Sequence, residues 1–252
     1  MLPVNIVFRK TSFVDYPALV SAVVFFYGCN LRCPWCHNRE LITYWKNHKG
    51  GFSNPPDTDA VSTDLEKALE HIEKRRKVLG GVVLSGGEPT LFPGLPKLIA
   101  RVKALGLRVK IDTNGMRPDI LEKLFSDPLS RPDYIAMDLK IAPERYAELL
   151  PGAVFGASVD RPAGTAVGPG TAEPDSNPCA RIRRSAELIR RSGIAHEFRS
   201  LTLPASRFGK SDLDALAPLA GSSPWHIRPF VPGNCLDPAW DGSEPPFTGG
   251  TA

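Results

Sequence analysis

Apolar and polar positions along this chain recur with two periods, and together they predict a repeating strand–helix order. Leu19 to Tyr27 (LVSAVVFFY) is a nearly unbroken apolar run rich in valine and phenylalanine. Such a run reads as a strand buried on both faces, as in a parallel sheet. Thr63 followed by Glu66 has the spacing of a capping box and predicts a helix start. Leu65, Ala68, Leu69, Ile72 and Leu79 then form one apolar stripe, with Glu70, Glu73, Lys74 and Lys77 outside it. Gly80-Gly81 ends that helix, and Val82-Val83-Leu84 is a short buried strand. Leu95, Leu98, Ile99, Val102 and Leu105 make the next stripe, which Gly106 closes as a C-terminal cap. Leu107 to Ile111 and Tyr134 to Leu139 read as strands, Pro118 to Phe125 and Pro143 to Leu150 as helices. The order resumes with a helix near Ala180 to Arg191, a strand at Ala195 to Leu203, a helix from Ser211 to Leu219 and a last strand from His226 to Phe230.

This alternation predicts βα units and a parallel sheet. About six units are too few for an eight-fold barrel. The expected fold class is therefore α/β, a partial (β/α)6 TIM-like barrel with parallel strands and the helices outside. Gly50 to Pro56 is Gly- and Pro-rich and reads as a loop. Pro151 to Pro178 breaks the pattern, being rich in Gly, Pro, Ala, Ser and Thr with a single aromatic, Phe155. Such a composition buries too little surface to offset chain entropy, so it reads as a flexible insertion. Two roles stay open for it, an inert loop and a lid over a substrate or partner. The expected organisation is one domain over residues 1–240, with the insertion at about 151–178 and a disordered tail from Asp241 to Ala252.

Composition narrows the class of function. A length of 252 residues fits one or two domains. Hydrophobic residues at 42% and charged residues at 23% exclude a fully disordered or fibrous chain. Lys and Arg number 31 against 27 Asp and Glu, a net charge of +4, far from the clustered charge of a dedicated nucleic-acid binder. Five cysteines in a chain this long do not make a disulfide scaffold. The segment Met1-Leu2-Pro3-Val4-Asn5 has no basic region followed by an apolar core, so no signal peptide is expected. No apolar run approaches the ~18 residues of a membrane span. The expected location is the cytoplasm, where thiols stay reduced and can bind metal. The chain is long enough to bury a core without metal, so a metal would serve function rather than folding.

The densest chemistry lies at Cys29-Asn30-Leu31-Arg32-Cys33-Pro34-Trp35-Cys36-His37-Asn38, on a loop after the first buried strand. Three thiolates within eight residues imply metal or cluster binding. A tetrahedral zinc wants a fourth ligand. His37 adjoins Cys36, and neighbours rarely both reach one small ion. Cys179 and Cys235 are remote and read as free thiols, the usual small buried hydrophobes. An iron–sulfur cluster takes three thiolates and leaves one iron for a ligand that is not protein. The residues alone leave both the cluster and zinc open.

Ser85-Gly86-Gly87-Glu88-Pro89-Thr90 follows the next strand. Its two glycines allow a ligand close to the backbone, and Glu88 offers a carboxylate to a cation or ammonium group. Asp112-Thr113-Asn114-Gly115 and Asp138-Leu139-Lys140 end two further strands, where parallel α/β folds place ligands. Either acid alone could be a helix cap or a turn residue. A lysine beside Asp138 is harder to explain in that way. His71 reads as solvated, His196 and His226 as packing residues near strands.

Cys29-x3-Cys33-x2-Cys36 with Trp35 before the last cysteine resembles the signature of the radical S-adenosylmethionine superfamily. Gly86-Gly87-Glu88-Pro89 is similar to that superfamily's second motif. Val14-Asp15-Tyr16-Pro17, Phe26-Tyr27-Gly28-Cys29, Cys36-His37-Asn38, Asp112-Thr113-Asn114-Gly115 and Asp138-Leu139-Lys140 resemble the glycyl-radical-enzyme activases, the group that includes pyruvate formate-lyase activating enzymes. Arg228-Pro229-Phe230-Val231-Pro232-Gly233-Asn234 is similar to the branch that activates anaerobic ribonucleoside-triphosphate reductases. The resemblance covers about residues 5 to 240, with the insertion unmatched.

The resemblance implies the following. Cys29, Cys33 and Cys36 would hold three irons of a single 4Fe–4S cluster. The fourth iron would bind the amino and carboxylate groups of S-adenosylmethionine. Gly86, Gly87 and Glu88 would meet the amino group and Lys140 the carboxylate. Asp138 would contact the ribose or a nearby monovalent cation, with Asp112 a second ligand of that cation. Trp35 would border the adenine, and Arg199 would line the pocket. One electron would cleave the sulfonium, and the 5′-deoxyadenosyl radical would take a hydrogen from a glycine Cα of a partner glycyl radical enzyme. A flavodoxin- or ferredoxin-type protein would donate the electron, with no nucleic acid or membrane involved. Activases of pyruvate formate-lyase carry Val-Asp-Gly-Pro where this chain has Val14-Asp15-Tyr16-Pro17, and a histidine where Val231 aligns. Because the cysteines specify the cofactor and not the substrate, a radical enzyme acting on a small molecule, such as a 7-deazapurine precursor, is the alternative. A zinc module binding another protein is a third reading.

Overall fold

The computed structural model describes residues 4–42, 60–153 and 177–242. Eight strands form one sheet in the order β3-β1-β2-β4-β5-β6-β7-β8. The strands are β1 Asn5–Ser12, β2 Ser21–Phe26, β3 Ala60–Asp64, β4 Gly81–Gly86, β5 Arg108–Thr113, β6 Tyr134–Asp138, β7 Ala195–Thr202 and β8 Trp225–Pro229. From β2 to β8 each neighbouring pair is parallel, so six strands make the expected partial barrel. β3 and β8 are the two ends of the sheet and do not pair, so the barrel is open.

β1 and β3 are additions that the hydrophobic pattern does not predict. β1 runs antiparallel to both β2 and β3. Its apolar stretch is short, and β3 (AVSTD) is mostly polar and pairs with β1 alone. Neither carries a period that reasoning over a sequence window would register.

Among the described residues the strands are connected by α-helices that include α1 Leu65–Arg75, α2 Leu95–Ala104, α3 Pro118–Ser126, α4 Pro178–Arg191 and α5 Lys210–Ala220. α1 buries Leu65, Ala68, Leu69 and Ile72, and α2 buries Leu95, Leu98, Ile99 and Val102, the predicted stripes. These side chains meet Val24, Val82, Leu84, Val109, Ile111 and Phe198 from the outer face of the sheet in one core. Each fully buried side chain of this size contributes about 1.5–3 kcal/mol.

The start of α1 corrects the expectation. Thr63 belongs to β3, and Asp64 is the cap, its carboxylate accepting the Glu66 N–H at 2.8 Å. An acid one residue later competes better for the free amide and also suits the positive helix end. Leu79 is buried but lies beyond the end of the helix. Pro143–Leu149 is a 3-10 helix.

The other face of the strands lines the barrel interior. Its N-terminal end is plugged by Tyr16, which is buried with Val23 and Val83 and has its ring 5.9 Å from that of Tyr134. Gly81 makes room for the plug, since a Cβ there would sit 2.9 Å from the Tyr16 ring and 3.0 Å from the Arg108 carbonyl.

The expected loop at Gly50 to Pro56 lies outside the described residues, as do residues 154–176 of the insertion and 243–252 of the tail. Asp241, placed in the tail by composition, belongs to the ordered structure and accepts the Cys235 N–H at 2.7 Å. Cys235 is fully buried, but Cys179 is half-buried at the start of α4 beside Arg183. His71 is half-buried and meets Phe8 edge-on. His196 bonds to the Ile194 carbonyl and to Ser223. His226 does not pack: it is exposed on the edge strand β8, 3.6 Å from Glu197. Among the described residues, no helix is long and apolar enough to cross a membrane.

Candidate functional site

The site sits at the C-terminal end of the parallel strands, where the backbone of one strand end meets the loop of the next. β2 ends at Phe26, and Gly28 turns the chain with a positive φ of 88°. The turn is tied to the end of β4 by Gly87 N–H to the Phe26 carbonyl and Glu88 N–H to the Gly28 carbonyl, both 2.9 Å. Gly87 has no substitute in this contact, because a Cβ would lie 1.9 Å from the Gly28 oxygen. Gly86, with φ 114°, is crowded in the same way by the backbone of Phe26. The glycine pair is thus needed for one strand end to approach another, whatever it also offers to a ligand.

The cysteine loop leaves this junction. The Leu31 N–H points at the Cys29 sulfur at 3.4 Å, and the Cys36 N–H closes a turn onto the Cys33 carbonyl at 3.0 Å. Burial raises all three thiols above the ordinary cysteine value, Cys29 to about 11. Outside the loop lies an aromatic cover: Trp35 stands 5.3 Å from Trp240, and Phe230 meets both Trp240 and His37.

All eleven residues expected around the cofactor line one cavity of about 300 Å3. They are Cys29, Cys33, Trp35, Cys36, Gly86, Gly87, Glu88, Asp112, Asp138, Lys140 and Arg199. They come from five separate stretches of the chain. Trp35 lines this space although it is only 3% exposed.

The acids at the strand ends differ from the expectation. Glu88 is 1% exposed and offers no free carboxylate. Its Oε1 accepts the N–H and hydroxyl of Thr90 at 3.1 and 2.6 Å and the Thr113 hydroxyl at 2.8 Å, while Oε2 accepts the Asn114 N–H at 2.7 Å. Burial raises its carboxyl above the ordinary value, and these bonds offset part of that rise. Asp138 is the opposite case. Burial opposes its charge, yet Arg199 at 2.9 Å and Lys140 at 2.8 Å hold it well below the carboxylate range. Lys140 is raised in return, its desolvation outweighed by Asp138 and Cys33. Asp112 lies 3.0 Å from the ammonium of Lys110 and 3.5 Å from Arg199.

Several side chains here were not predicted. Asn114 reaches Asn30 at 2.8 Å and the Cys29 sulfur at 3.6 Å. The Tyr146 hydroxyl accepts the Lys140 N–H at 2.9 Å. Lys110, 3% exposed, pairs with Asp112. Asn114 stood inside a motif read for its aspartate alone. Lys110 was legible from its spacing, since residues two apart on a strand share a face.

The donor set suits an iron–sulfur cluster. Three thiols line one wall, and the Leu31 amide and Asn114 carboxamide are directed at sulfur, as donors that steady cluster thiolates are. Among the described residues, no three His, Cys, Asp or Glu side chains converge on a position for a single ion.

A profile of the radical SAM superfamily matches residues 23–200. A Methanocaldococcus jannaschii protein named as a glycyl-radical enzyme activating enzyme is 37% identical over 140 residues, 55% of this chain and 51% of that protein. A pyruvate formate-lyase-activating enzyme of Listeria monocytogenes is 34% identical over 143 residues, 54% of this chain and 53% of that one. The chain spans about half the length of these curated relatives. The crystal structure of Streptococcus suis SuiB bound to S-adenosylmethionine is similar over 89% of this chain and 45% of that one, with a TM-score of 0.51 and 12% identity. A radical SAM methyltransferase from Sphaerobacter thermophilus is similar over 88% and 58%, with a TM-score of 0.51 and 16% identity. At such identities the likeness concerns the fold. An open parallel barrel whose cysteine loop and glycine turn share one cavity, in a chain matched over most of its length by one family, leads to a single assignment: the chain belongs to the radical SAM superfamily.

Proposed function

We propose that this chain is a radical S-adenosylmethionine enzyme that activates a glycyl radical enzyme. The observation that carries the reading is the convergence of the three thiols, the glycine turn and the Asp138–Lys140–Arg199 group on one cavity at the open end of the barrel. When bound, a 4Fe–4S cluster supplies the electron that splits S-adenosylmethionine into methionine and a 5′-deoxyadenosyl radical, which can take a hydrogen atom from a glycine Cα. Cys29, Cys33 and Cys36 hold the cluster. The backbone of Gly86 and Gly87 receives the amino group of S-adenosylmethionine, and Lys140 and Arg199 receive its carboxylate. Glu88 shapes this rim through Thr90, Thr113 and Asn114 rather than by touching the cofactor. Asp138 keeps both cations in place, and Trp35 borders the adenine.

The names of the relatives support a glycyl radical enzyme as the partner. The Arg228-to-Asn234 stretch supports an anaerobic ribonucleoside-triphosphate reductase in particular. A flavodoxin- or ferredoxin-type donor and a cytoplasmic location go with this chemistry. The whole reads as one domain over residues 1–240, with the insertion as an appendage.

A second reading has one observation in its favour. An adjoining cavity of about 250 Å3 is lined by Lys140, Arg199, His226 and Arg228 with Asp138 as the one acid, an excess of basic groups that suits an anionic small molecule.

The test is anaerobic reconstitution with iron and sulfide, followed by assay of S-adenosylmethionine cleavage under strong reductant. 5′-Deoxyadenosine from the wild type and none from Cys33→Ala is expected. A glycyl radical signal on addition of a candidate partner then identifies the substrate class. Cleavage without any such signal, stimulated by a small anionic substrate, favours the second reading. Zinc binding with no iron uptake and no cleavage overturns both.

A further inference from the structure

We propose that Lys110 is a built-in counter-ion for Asp112, standing where a monovalent metal ion would otherwise balance this rim. The inference shares its cavity with the proposed reaction. It concerns the charge balance of the protein itself and is tested first without that reaction.

Lys110 and Asp112 are two residues apart on β5 and so point to the same, interior face of the barrel. The ammonium lies 3.0 Å from Asp112 Oδ1, donates to the Asp15 carbonyl at 2.6 Å and sits 5.9 Å from the centre of the Tyr134 ring. Asp15 is itself held, its carboxylate accepting from Arg9 at 2.9 Å and from Ser12. Lys110 is 3% exposed, so solvent ions do not compete for its position. The Val14-Asp15-Tyr16-Pro17 stretch, otherwise without a role at the site, plugs the barrel and supplies the carbonyl that fixes this ammonium.

The interior charges then balance. Asp112 and Asp138 are paired with Lys110, Lys140 and Arg199, and Glu197, which accepts from the Tyr134 hydroxyl at 3.0 Å, adds its charge on the Arg199 side. Arg199 bridges Asp112 and Asp138, so one continuous chain of opposite charges crosses the ends of β5, β6 and β7. Asp112 Oδ1 is buried and lacks a well-directed hydrogen bond, so its charge is met by proximity to Lys110 rather than by a geometric bond. A metal ion bound between Asp112 and Asp138 would be a fourth positive charge against three negative ones. The cation that the family resemblance implies therefore does not fit this chain. Lys110 acts through Asp112 on Arg199 and is a positioning residue, not a catalytic one.

The test compares wild type, Lys110→Met and the double variant Lys110→Met with Asp112→Asn. Apo protein is melted in potassium chloride and in choline chloride at equal ionic strength. The wild type is expected to melt at the same temperature in both. Lys110→Met, with Asp112 uncompensated, is expected to melt roughly 5–10 °C lower in choline and to regain part of that loss in potassium. The double variant, with neither charge, is expected to melt near the wild type and to ignore the salt. If Lys110→Met does not fold, the wild-type salt comparison decides, together with S-adenosylmethionine cleavage measured in both salts. A wild type that melts higher or cleaves several-fold faster in potassium overturns the proposal, as does a folded Lys110→Met that is indifferent to potassium. A protein that never cleaves S-adenosylmethionine but shows the expected melting pattern removes the proposed reaction and leaves Lys110 its role.

Discussion

Glu88 and Asp138 both end parallel strands and both face the same cavity, yet their surroundings oppose each other. Around Glu88 the partners are neutral: two threonine hydroxyls and the amides of Thr90 and Asn114. Burial dominates there, and its carboxyl is raised. Around Asp138 the partners are cations, and its carboxyl is lowered. The first region is a rigid corner that ties β4 to β5 and, through Asn114, to the cysteine loop. The second is a charged ledge that can exchange internal partners for a zwitterionic ligand. Position at a strand end does not decide what an acid does; the partners supplied by neighbouring strands do.

The contrast can be broken most severely at the corner. Gly87→Ala drives a Cβ into the Gly28 carbonyl, so the end of β2 must shift and the cysteine loop with it. A loss on the order of 3 kcal/mol and a large fall in iron retained after reconstitution are expected, measured by denaturant melts and metal analysis.

Asp138→Ala leaves Lys140 without its counter-charge and Arg199 with Asp112 alone. A fully buried pair broken in this way costs 3–5 kcal/mol, but these groups line an open cavity, so about 2 kcal/mol is expected. Sulfate should restore part of the stability by occupying the vacated position. Unchanged melting in this variant would mean that water already screens the ledge.

Glu88→Gln should do less, because the amide resembles the protonated acid that burial favours. One acceptor becomes a donor facing the Asn114 N–H or the hydroxyls, for a loss of about 1 kcal/mol. If Glu88→Gln destabilises more than Asp138→Ala, the assignment of corner and ledge is reversed.

The mildest effect is a slope with pH. Cys29 holds its proton more tightly in the folded chain, at about 11, than at the ordinary value of 9.0. Above pH about 9 the unfolded chain loses that proton first, so apo stability falls as pH rises from about 9 to about 11. Cluster loading runs the other way, since metal binding removes thiol protons and is favoured as pH increases. Apo melting that stays flat over this range would show the thiols to be more solvated than their burial implies.

Much of the fold was legible because its signals are local. Each βα unit carries its own apolar stripe and its own glycine or proline punctuation, from Leu19 to Phe230. β1 and β3 were not, since a short apolar run and a polar edge strand gain their structure only by pairing with β2 and with each other. At the site, the cysteine loop and the glycine turn were legible as motifs. The corner was not, because Glu88 meets Thr113 and Asn114 across 25 and 26 residues of chain. For Lys110, the face shared with Asp112 was legible from spacing, but its anchor on the Asp15 carbonyl, 95 residues away, was not.

By itself, the sequence determined the class of fold, the three thiols and the strand ends that would carry the chemistry, because periodicity and spacing act within one or two elements. Only the tertiary structure decided which acids are saturated and which are paired with cations. That depends on register between strands, as where Asp138 falls opposite Arg199, and on the barrel's curvature bringing a plug loop beneath Lys110. Electrostatic interaction in a buried cavity is governed by distances of a few ångströms across strands, which no run of neighbouring residues encodes.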